Sequence, residues 1–260
     1  MPFRITLALS GLVFTACSTK ESAPAASPAA PEAAPAAAPK AAATQVTVYG
    51  ALREMMHENR LERRVDLGPM IGRSGLYGLG ALENLSGEVT IWDGQVWLSK
   101  PDGAGGATAG QVGATEDGAA LLVTANVTAW QEQRVDEAVP FDQLDAFIEG
   151  RAKAAGIDIA EAFPWRIVGA PSRIDWHVID GSKIPSTAHG HEAHMRTAVR
   201  GKLAGKTVQI LGFTSPKHHT IFTHHDTNTP AHVIAGDEGV TGHVDHMDLA
   251  PGATLYLPKP

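Results

Sequence analysis

The segment from Glu88 to Leu98 constrains the fold most strongly, because it predicts a β-hairpin. Two β-favouring runs, 88–92 and 95–98, are joined by Asp93-Gly94. An Asp-Gly pair between such runs is typical of a type I′ turn. Further β-favouring segments follow along the chain, at 119–127, 174–179, 208–213, 219–223, 232–235 and 254–257. Strands are therefore expected to dominate the fold.

Helical patterns are few. Residues 141–155 place Phe141, Leu144, Phe147 and Ile148 on one helical face, and Gly156 follows as a stop signal. A shorter helix is predicted at 51–58, and the Gly- and Ala-rich stretch 101–118 is predicted to be a surface loop. The sequence predicts an α+β fold with mixed or antiparallel β-sheets and few helices.

The first 44 residues predict an export signal followed by a tether. Residues 1–4 carry one positive charge, residues 5–16 are apolar or small, and Cys17 follows them. This order is typical of a secretory signal, and the position of Cys17 indicates a lipidation site. The alternative is an ordinary signal peptide with a chance cysteine. Residues 18–44 are mostly Ala and Pro, which predicts a disordered linker.

Residues 45–260 are then expected to form the folded domain, exported and lipid-anchored to a membrane, facing the periplasm or the cell exterior. Cys17 is the one cysteine of the chain, so its acylation would leave no thiol for a disulfide or for thiolate chemistry. The net charge of −7 and the lack of a basic stripe argue against nucleic-acid binding. Contact with the membrane is expected through the lipid alone.

Histidine is concentrated in the C-terminal third of the chain. Of twelve histidines, eleven lie between His177 and His246, and neutral imidazole is a common zinc ligand. The strongest pair is His232, on a predicted strand, and His243, which follows a glycine. A second group, His189, His191 and His194, lies in a polar stretch and is a weaker candidate for a site or a metal-scavenging patch.

Three segments, taken together, resemble the acetolactate decarboxylase family. The run LYGLGALENLSGEV at 76–89, continuing to WDGQVW at 92–97, resembles the family's GLGT stretch, LDGE turn and Asp-Gly hairpin. The tail from AHV at 231–233 to GHVD at 242–245 resembles its HxH…GGHVLD metal segment. The strand WHVIDG at 176–181 resembles its AIRIDG strand. The three segments occur in the family's order and span most of residues 45–260.

The resemblance implies a zinc-dependent carboxy-lyase that converts 2-acetolactate, a small hydroxy-keto acid, to acetoin and carbon dioxide. It also implies a homodimer. By position, His232 and His243 match metal ligands, and Glu88 matches the carboxyl group that lies at the metal and handles the proton. From periodicity alone, Glu88 is more readily explained as a solvated carboxylate at a strand end.

The metal site departs from the family pattern. The first metal histidine of the family lies two residues before the second, and here that position is Pro230, which cannot bind a metal. His224 or His225 is the sequence-based candidate for the third imidazole, with His225 preferred.

The substrate-binding positions differ as well. The family's arginine is replaced by Val178, so Arg173 or Arg196 would have to hold the substrate carboxylate, with Arg173 preferred. The threonine of GLGT is Ala81, and residues 250–260 contain no acidic residue to match the family's C-terminal glutamate.

Three functions remain open at this level. The first is a working decarboxylase, and the second is a non-catalytic lipoprotein that binds a metal or a metabolite on the same fold. The third is a related enzyme acting on another hydroxy-keto acid. Glu88 and the pair His232 and His243 favour an enzyme, whereas Pro230 and Val178 favour the second or third function.

Overall fold

Two antiparallel β-sheets make up most of the computed structural model, which describes residues 44–185, 190–223 and 227–260. The first sheet has the strand order β1-β7-β3-β4-β5-β6, with β2 paired to β7. Its strands are β1 (Val46–Tyr49), β2 (Val65–Asp66), β3 (Leu76–Leu82), β4 (Glu88–Trp92), β5 (Gln95–Pro101), β6 (Ala107–Val112) and β7 (Gly118–Asn126).

The second sheet has the order β11-β10-β14-β13-β12-β9-β15-β8. Its strands are β8 (Trp130–Arg134), β9 (Phe163–Gly169), β10 (Arg173–Val178), β11 (Val199–Leu203), β12 (Val208–Thr214), β13 (Ala231–Ala235), β14 (Val240–Asp248) and β15 (Thr254–Pro258). All pairings between these strands are antiparallel.

Three α-helices accompany the sheets: α1 (Leu52–Glu58), α2 (Leu144–Ala154) and α3 (His191–Thr197). Leu144, Ile148 and Ala152 of α2 are buried in the core on the outer face of the second sheet, as the apolar periodicity predicts. Within the described ranges, no helix has the length and apolarity that a membrane span requires.

The predicted α+β class with antiparallel sheets and few helices is confirmed. The hairpin is confirmed as well, since β4 and β5 pair with Trp92 opposite Gln95. Asp93 and Gly94 in the turn have φ angles of 52° and 75°. Both values are positive, as a type I′ turn requires.

Two local predictions are wrong. Residues 219–223 form an isolated bridge, not a strand. Residues 101–118 contain β6, which pairs with β5 at the edge of the first sheet although its sequence is rich in Gly and Ala. Pairing with a neighbouring strand outweighs weak local propensity here. The predicted signal, Cys17 and nearly all of the linker lie outside the described residues.

The two sheets face each other across an apolar layer. Tyr77, Leu79 and Val123 of the first sheet meet Leu211 and Ile234 of the second. Alternation along each strand places the remaining apolar side chains on the opposite faces, as in Val89 and Ile91 of β4 and Ala231 and Val233 of β13. This arrangement brings the inward-facing polar residues of β4, β10, β13 and β14 into one region.

A glycine–tryptophan pair fixes the packing of β12 against β9. Gly212 pairs directly with Trp165, whose side chain is fully buried. A Cβ atom on Gly212 would overlap the indole ring. The indole Nε1 donates a hydrogen bond of 3.0 Å to the hydroxyl of Thr214, which in turn bonds the hydroxyl of Thr229 at 3.0 Å. The missing side chain at 212 is therefore required by close packing.

We expect Gly212→Ala to lower the free energy of unfolding by about 1–3 kcal/mol, the usual cost of overpacking a core. Denaturant unfolding measures this change. Gly110→Ala is the matched control, because Gly110 lies on β6 with open space around its Cα. Equal effects of the two substitutions would contradict the packing role of Gly212.

Candidate active site

A cavity of about 340 Å³ opens where the two sheets meet. Its walls are largely apolar and include Leu52, Met55, Leu79, Leu121, Ile179 and Phe222. Its polar side chains include Glu88, His177, His194, His232, His243 and Asp245. The volume lies within the range of roughly 300–1,000 Å³ that is usual for small-molecule pockets. An apolar cavity with a few convergent polar groups is the expected form of a site for a small ligand.

Glu88 begins β4 and is buried in this cavity, with 5 % of its surface exposed. The backbone N–H of Ile179 donates a 3.3 Å hydrogen bond to Oε1. Burial raises the pKa of the Glu88 carboxyl from 4.5 to about 8, because a carboxylate loses its hydration there. The solvated position that periodicity favours for Glu88 is therefore wrong, and in the metal-free protein the carboxyl holds a proton at neutral pH.

Three histidines lie side by side on three adjacent strands. His243 of β14 is directly opposite His177 of β10 on one side and His232 of β13 on the other. The ring centres of His177 and His243 are 4.9 Å apart, and those of His232 and His243 are 5.5 Å apart. Directly paired residues of antiparallel strands share a face of the sheet, so all three rings stand on the cavity side.

His232 is held by a hydrogen bond between the sheets. Its Nδ1 lies 3.0 Å from the hydroxyl of Thr90 on β4, which also lies 3.2 Å from the hydroxyl of Thr241 on β14. Its Nε2 faces the Glu88 carboxyl, 3.8 Å from Oε2. Burial lowers the pKa of His232 from 6.5 to about 3. The imidazole is therefore neutral at pH 7 in the metal-free protein.

His177 is held by a carboxylate at a β-bulge. The pairing of β10 with β14 shifts between Asp175 and Trp176, so Asp245 has no direct partner on β10. The Asp245 carboxylate lies 2.7 Å from Nδ1 of His177 through Oδ1 and accepts a 3.1 Å hydrogen bond from Arg200 through Oδ2. The bulge thus directs Asp245 toward the ring of His177.

The structure brings together three of the residues predicted from the sequence, Glu88, His232 and His243. Arg173 is exposed, forms an ion pair with Asp175, and does not line the cavity. Arg196 is also exposed, on α3 beside Glu192. His224, His225 and His189 lie outside the described residues. The role of Arg173 as a carboxylate clamp stays a prediction.

The sequence-based site omitted His177 and Asp245. A local signal for His177 exists, because Ile174, Trp176 and Val178 alternate with Asp175 and His177 along β10. That alternation separates the two faces of the strand but does not say which strand lies beside it. Within the three described ranges, no group of three or more His, Asp or Glu side chains is close enough, as placed, to hold one metal ion.

Comparison with known proteins matches residues 46–257 to the family model described as alpha-acetolactate decarboxylase. Among curated protein sequences, the chain has no match. Solved structures of similar fold include alpha-acetolactate decarboxylase from Bacillus subtilis strain 168, with 16 % identity and a TM-score of 0.67 over 84 % of this chain and 86 % of that one.

The acetolactate decarboxylase of Bacillus subtilis subspecies spizizenii is similar at 17 % identity and a TM-score of 0.66, over 84 % of this chain and 87 % of that one. A Staphylococcus aureus protein of unknown function, described as similar to alpha-acetolactate decarboxylase, is 14 % identical with a TM-score of 0.64, over 83 % and 85 % of the two chains. At this identity the structures establish a shared fold.

We expect Thr90→Val to lower the free energy of unfolding by about 1–3 kcal/mol, because the buried Nδ1 of His232 loses its partner. Valine keeps the shape of threonine, so packing changes little. Denaturant unfolding measures the loss, and Thr47→Val, at an exposed position of β1, is the matched control. An unchanged stability in Thr90→Val would show that the contact between the sheets contributes nothing.

The two buried ionisable groups predict how the stability of the metal-free protein depends on pH. The raised pKa of Glu88 adds to the free energy of unfolding. This contribution is fully present below pH 4.5 and is lost as pH rises toward about 8. The lowered pKa of His232 also adds to the free energy of unfolding. This contribution is present above pH 6.5 and is lost as pH falls toward about 3. Of these two groups, only Glu88 changes the free energy of unfolding as pH rises above 6.5.

We therefore expect the free energy of unfolding, measured with a chelator present to keep the protein metal-free, to fall between pH 6.5 and pH 8. Glu88→Gln should remove most of that fall, because glutamine does not ionise. Denaturant unfolding at the two pH values measures the slope. Glu132→Gln, the same change at an exposed position of β8, should keep the fall. If Glu88→Gln loses as much stability between the two pH values as the wild type, another group is responsible for the fall.

Proposed function

Because this chain belongs to the alpha-acetolactate decarboxylase family, we propose that it removes carbon dioxide from 2-acetolactate, or a closely related hydroxy-keto acid, and releases acetoin. Family and fold point to a carboxy-lyase. The observation that carries the proposal is the buried Glu88 carboxyl, 3.8 Å from His232, in a mainly apolar cavity that His243 also lines. A small keto acid is the size of ligand that such a cavity accepts.

The family implies a zinc ion, and the donor chemistry of the cavity fits one. His232 and His243 offer imidazoles in a region with no thiol, and His232 is neutral, as a ligand must be. The hydrogen bond of Thr90 to Nδ1 leaves Nε2 of His232 for a ligand bond. His232 and His243 would hold the ion. When bound, zinc supplies an electrophile that stabilises the negative charge left by the departing carbon dioxide.

Glu88 has the position of a general acid. Ile179 binds Oε1 and leaves Oε2 on the side of His232. A carboxylic acid placed there delivers its proton to the carbon that loses carbon dioxide, from the face of the substrate that Glu88 occupies. Leu79, Leu121 and Ile179 surround this step with apolar walls.

A second candidate function is supported by the charge of the cavity. Among the described residues that line it, none is a lysine or an arginine. Val178, which replaces the family's arginine, is fully buried. A carboxylate substrate would normally be held by such a cation. This lack favours a protein that binds a metal or a less acidic metabolite on the same fold without decarboxylation.

Acetoin release from racemic 2-acetolactate by the purified, zinc-loaded, full-length protein tests the proposal. We expect release by the wild type and a loss of about 10²–10⁴-fold in Glu88→Gln, the usual contribution of a positioned acid. Glu132→Gln, with an exposed carboxyl on β8, is the matched control and should retain the wild-type rate. A folded, zinc-loaded wild type that releases no acetoin would refute decarboxylation and favour the binding function.

A further inference from the structure

His177 lies where a third metal ligand is needed. The family pattern places two ligand histidines on one strand, two residues apart, and Pro230 occupies the first of those positions here. Pro230 has no side-chain donor, although it lines the cavity. His177 comes from the neighbouring part of the sheet, through β10, and stands against His243 with ring centres 4.9 Å apart. His177 on β10 thus offers an imidazole in place of the one that is missing at position 230.

We propose that His177 is the third imidazole ligand of a divalent metal ion held together with His232 and His243, and that Asp245 is its positioning residue. This inference rests on the metal dependence in the proposed function. It assigns a ligand set drawn from three adjacent strands, β10, β14 and β13, one histidine from each.

The spacing of the rings supports this assignment. Two imidazoles that bind one zinc ion through nitrogens about 2.0–2.1 Å from it have ring centres roughly 5 Å apart. His243 has that spacing to both neighbours, 4.9 Å to His177 and 5.5 Å to His232. His177 and His232 lie on the strands on either side of His243, and as placed the three side chains do not surround one point. Binding requires His177 and His232 to shift toward His243 together with their Nδ1 partners, a local change that metal affinity can drive.

The hydrogen bonds of His177 and His232 independently support the assignment of His177 as a metal ligand. Metal-binding histidines generally donate their second N–H to a carboxylate, a carbonyl or another polar oxygen, which orients the ring. Nδ1 of His177 has this contact with Asp245, and Nδ1 of His232 has it with Thr90. In both residues Nε2 is then the nitrogen left for a metal. Arg200 binds the other oxygen of Asp245 at 3.1 Å and keeps that carboxylate in place.

The charge of the site is also suitable. A divalent ion bound by three neutral imidazoles has two carboxyl groups nearby, Glu88 beside His232 and Asp245 beside His177. The negative charge of Asp245 would offset part of the charge of the ion in a cavity with apolar walls. Asp245 is partly exposed and paired with Arg200, so it acts through His177 and not as a direct ligand.

Zinc affinity of the full-length protein, measured by competition with a chromophoric chelator, tests the ligand set. We expect His177→Ala and His177→Gln to weaken binding by more than about 100-fold, beyond the 10–100-fold that loss of an outer partner costs. Asp245→Asn should fall within that smaller range. His57→Ala, at an exposed position of α1, is the matched control and should bind like the wild type.

The visible spectrum of the Co²⁺-substituted protein provides a second readout that does not depend on activity, because its bands respond to the ligands themselves. We expect the wild-type bands to change in His177→Gln and to persist in His57→Ala. Unfolding of each metal-free variant by denaturant separates loss of a ligand from loss of the fold. His177→Gln nearly preserves side-chain volume and serves if His177→Ala does not fold.

Wild-type zinc affinity and Co²⁺ bands in both His177 variants would overturn the proposal. So would loss of binding in His225→Ala with binding retained in His177→Ala, which is the outcome that the sequence pattern alone favours. Acetoin release separates this inference from the proposed function. Zinc binding that depends on His177 without acetoin release would refute decarboxylation alone, whereas acetoin release with unchanged binding in the His177 variants would refute the ligand set alone.

Discussion

The buried hydroxyl of Thr90 is the contact on which the site depends. It reaches from the first sheet to the second, where it meets both Nδ1 of His232 and the hydroxyl of Thr241. A polar group buried between two sheets is costly unless it is satisfied, so this contact favours one alignment of β4 against β13 and β14. The same alignment places Glu88, two residues before Thr90 on the same face of β4, against Nε2 of His232.

Burial then decides the chemistry of these side chains. Glu88 and His232 would both be charged or readily protonated in water, yet loss of hydration moves their pKa values apart, to about 8 and about 3. The pair is therefore a protonated acid beside a neutral base near pH 7. That combination suits proton delivery by one residue and metal binding by the other, and it arises without any direct ion pair.

In the proposed ligand set, a neighbouring strand of the sheet supplies the imidazole that Pro230 cannot. Neighbouring strands lie about 4.8 Å apart and residues two positions along one strand about 6.6 Å apart, so a histidine opposite His243 is nearer to it than a residue two positions along its own strand. His177 occupies such a position, and the bulge beside it turns Asp245 toward its ring. Pro230 therefore removes a donor just before β13 without removing the proposed site.

The sequence by itself determined the antiparallel β-rich class, the Asp93-Gly94 hairpin and the amphipathic α2, because turn chemistry and periodicity are local properties. It also proposed Glu88, His232 and His243 as candidate site residues, through the order of their motifs. Only the tertiary structure decided that Glu88 is buried, that Arg173 stands away from the cavity, and that His177 adjoins His243. Residues 177 and 243 are far apart in the chain, and no local pattern states which strands become neighbours. That choice belongs to the packing of the whole domain, which sets strand order and register together.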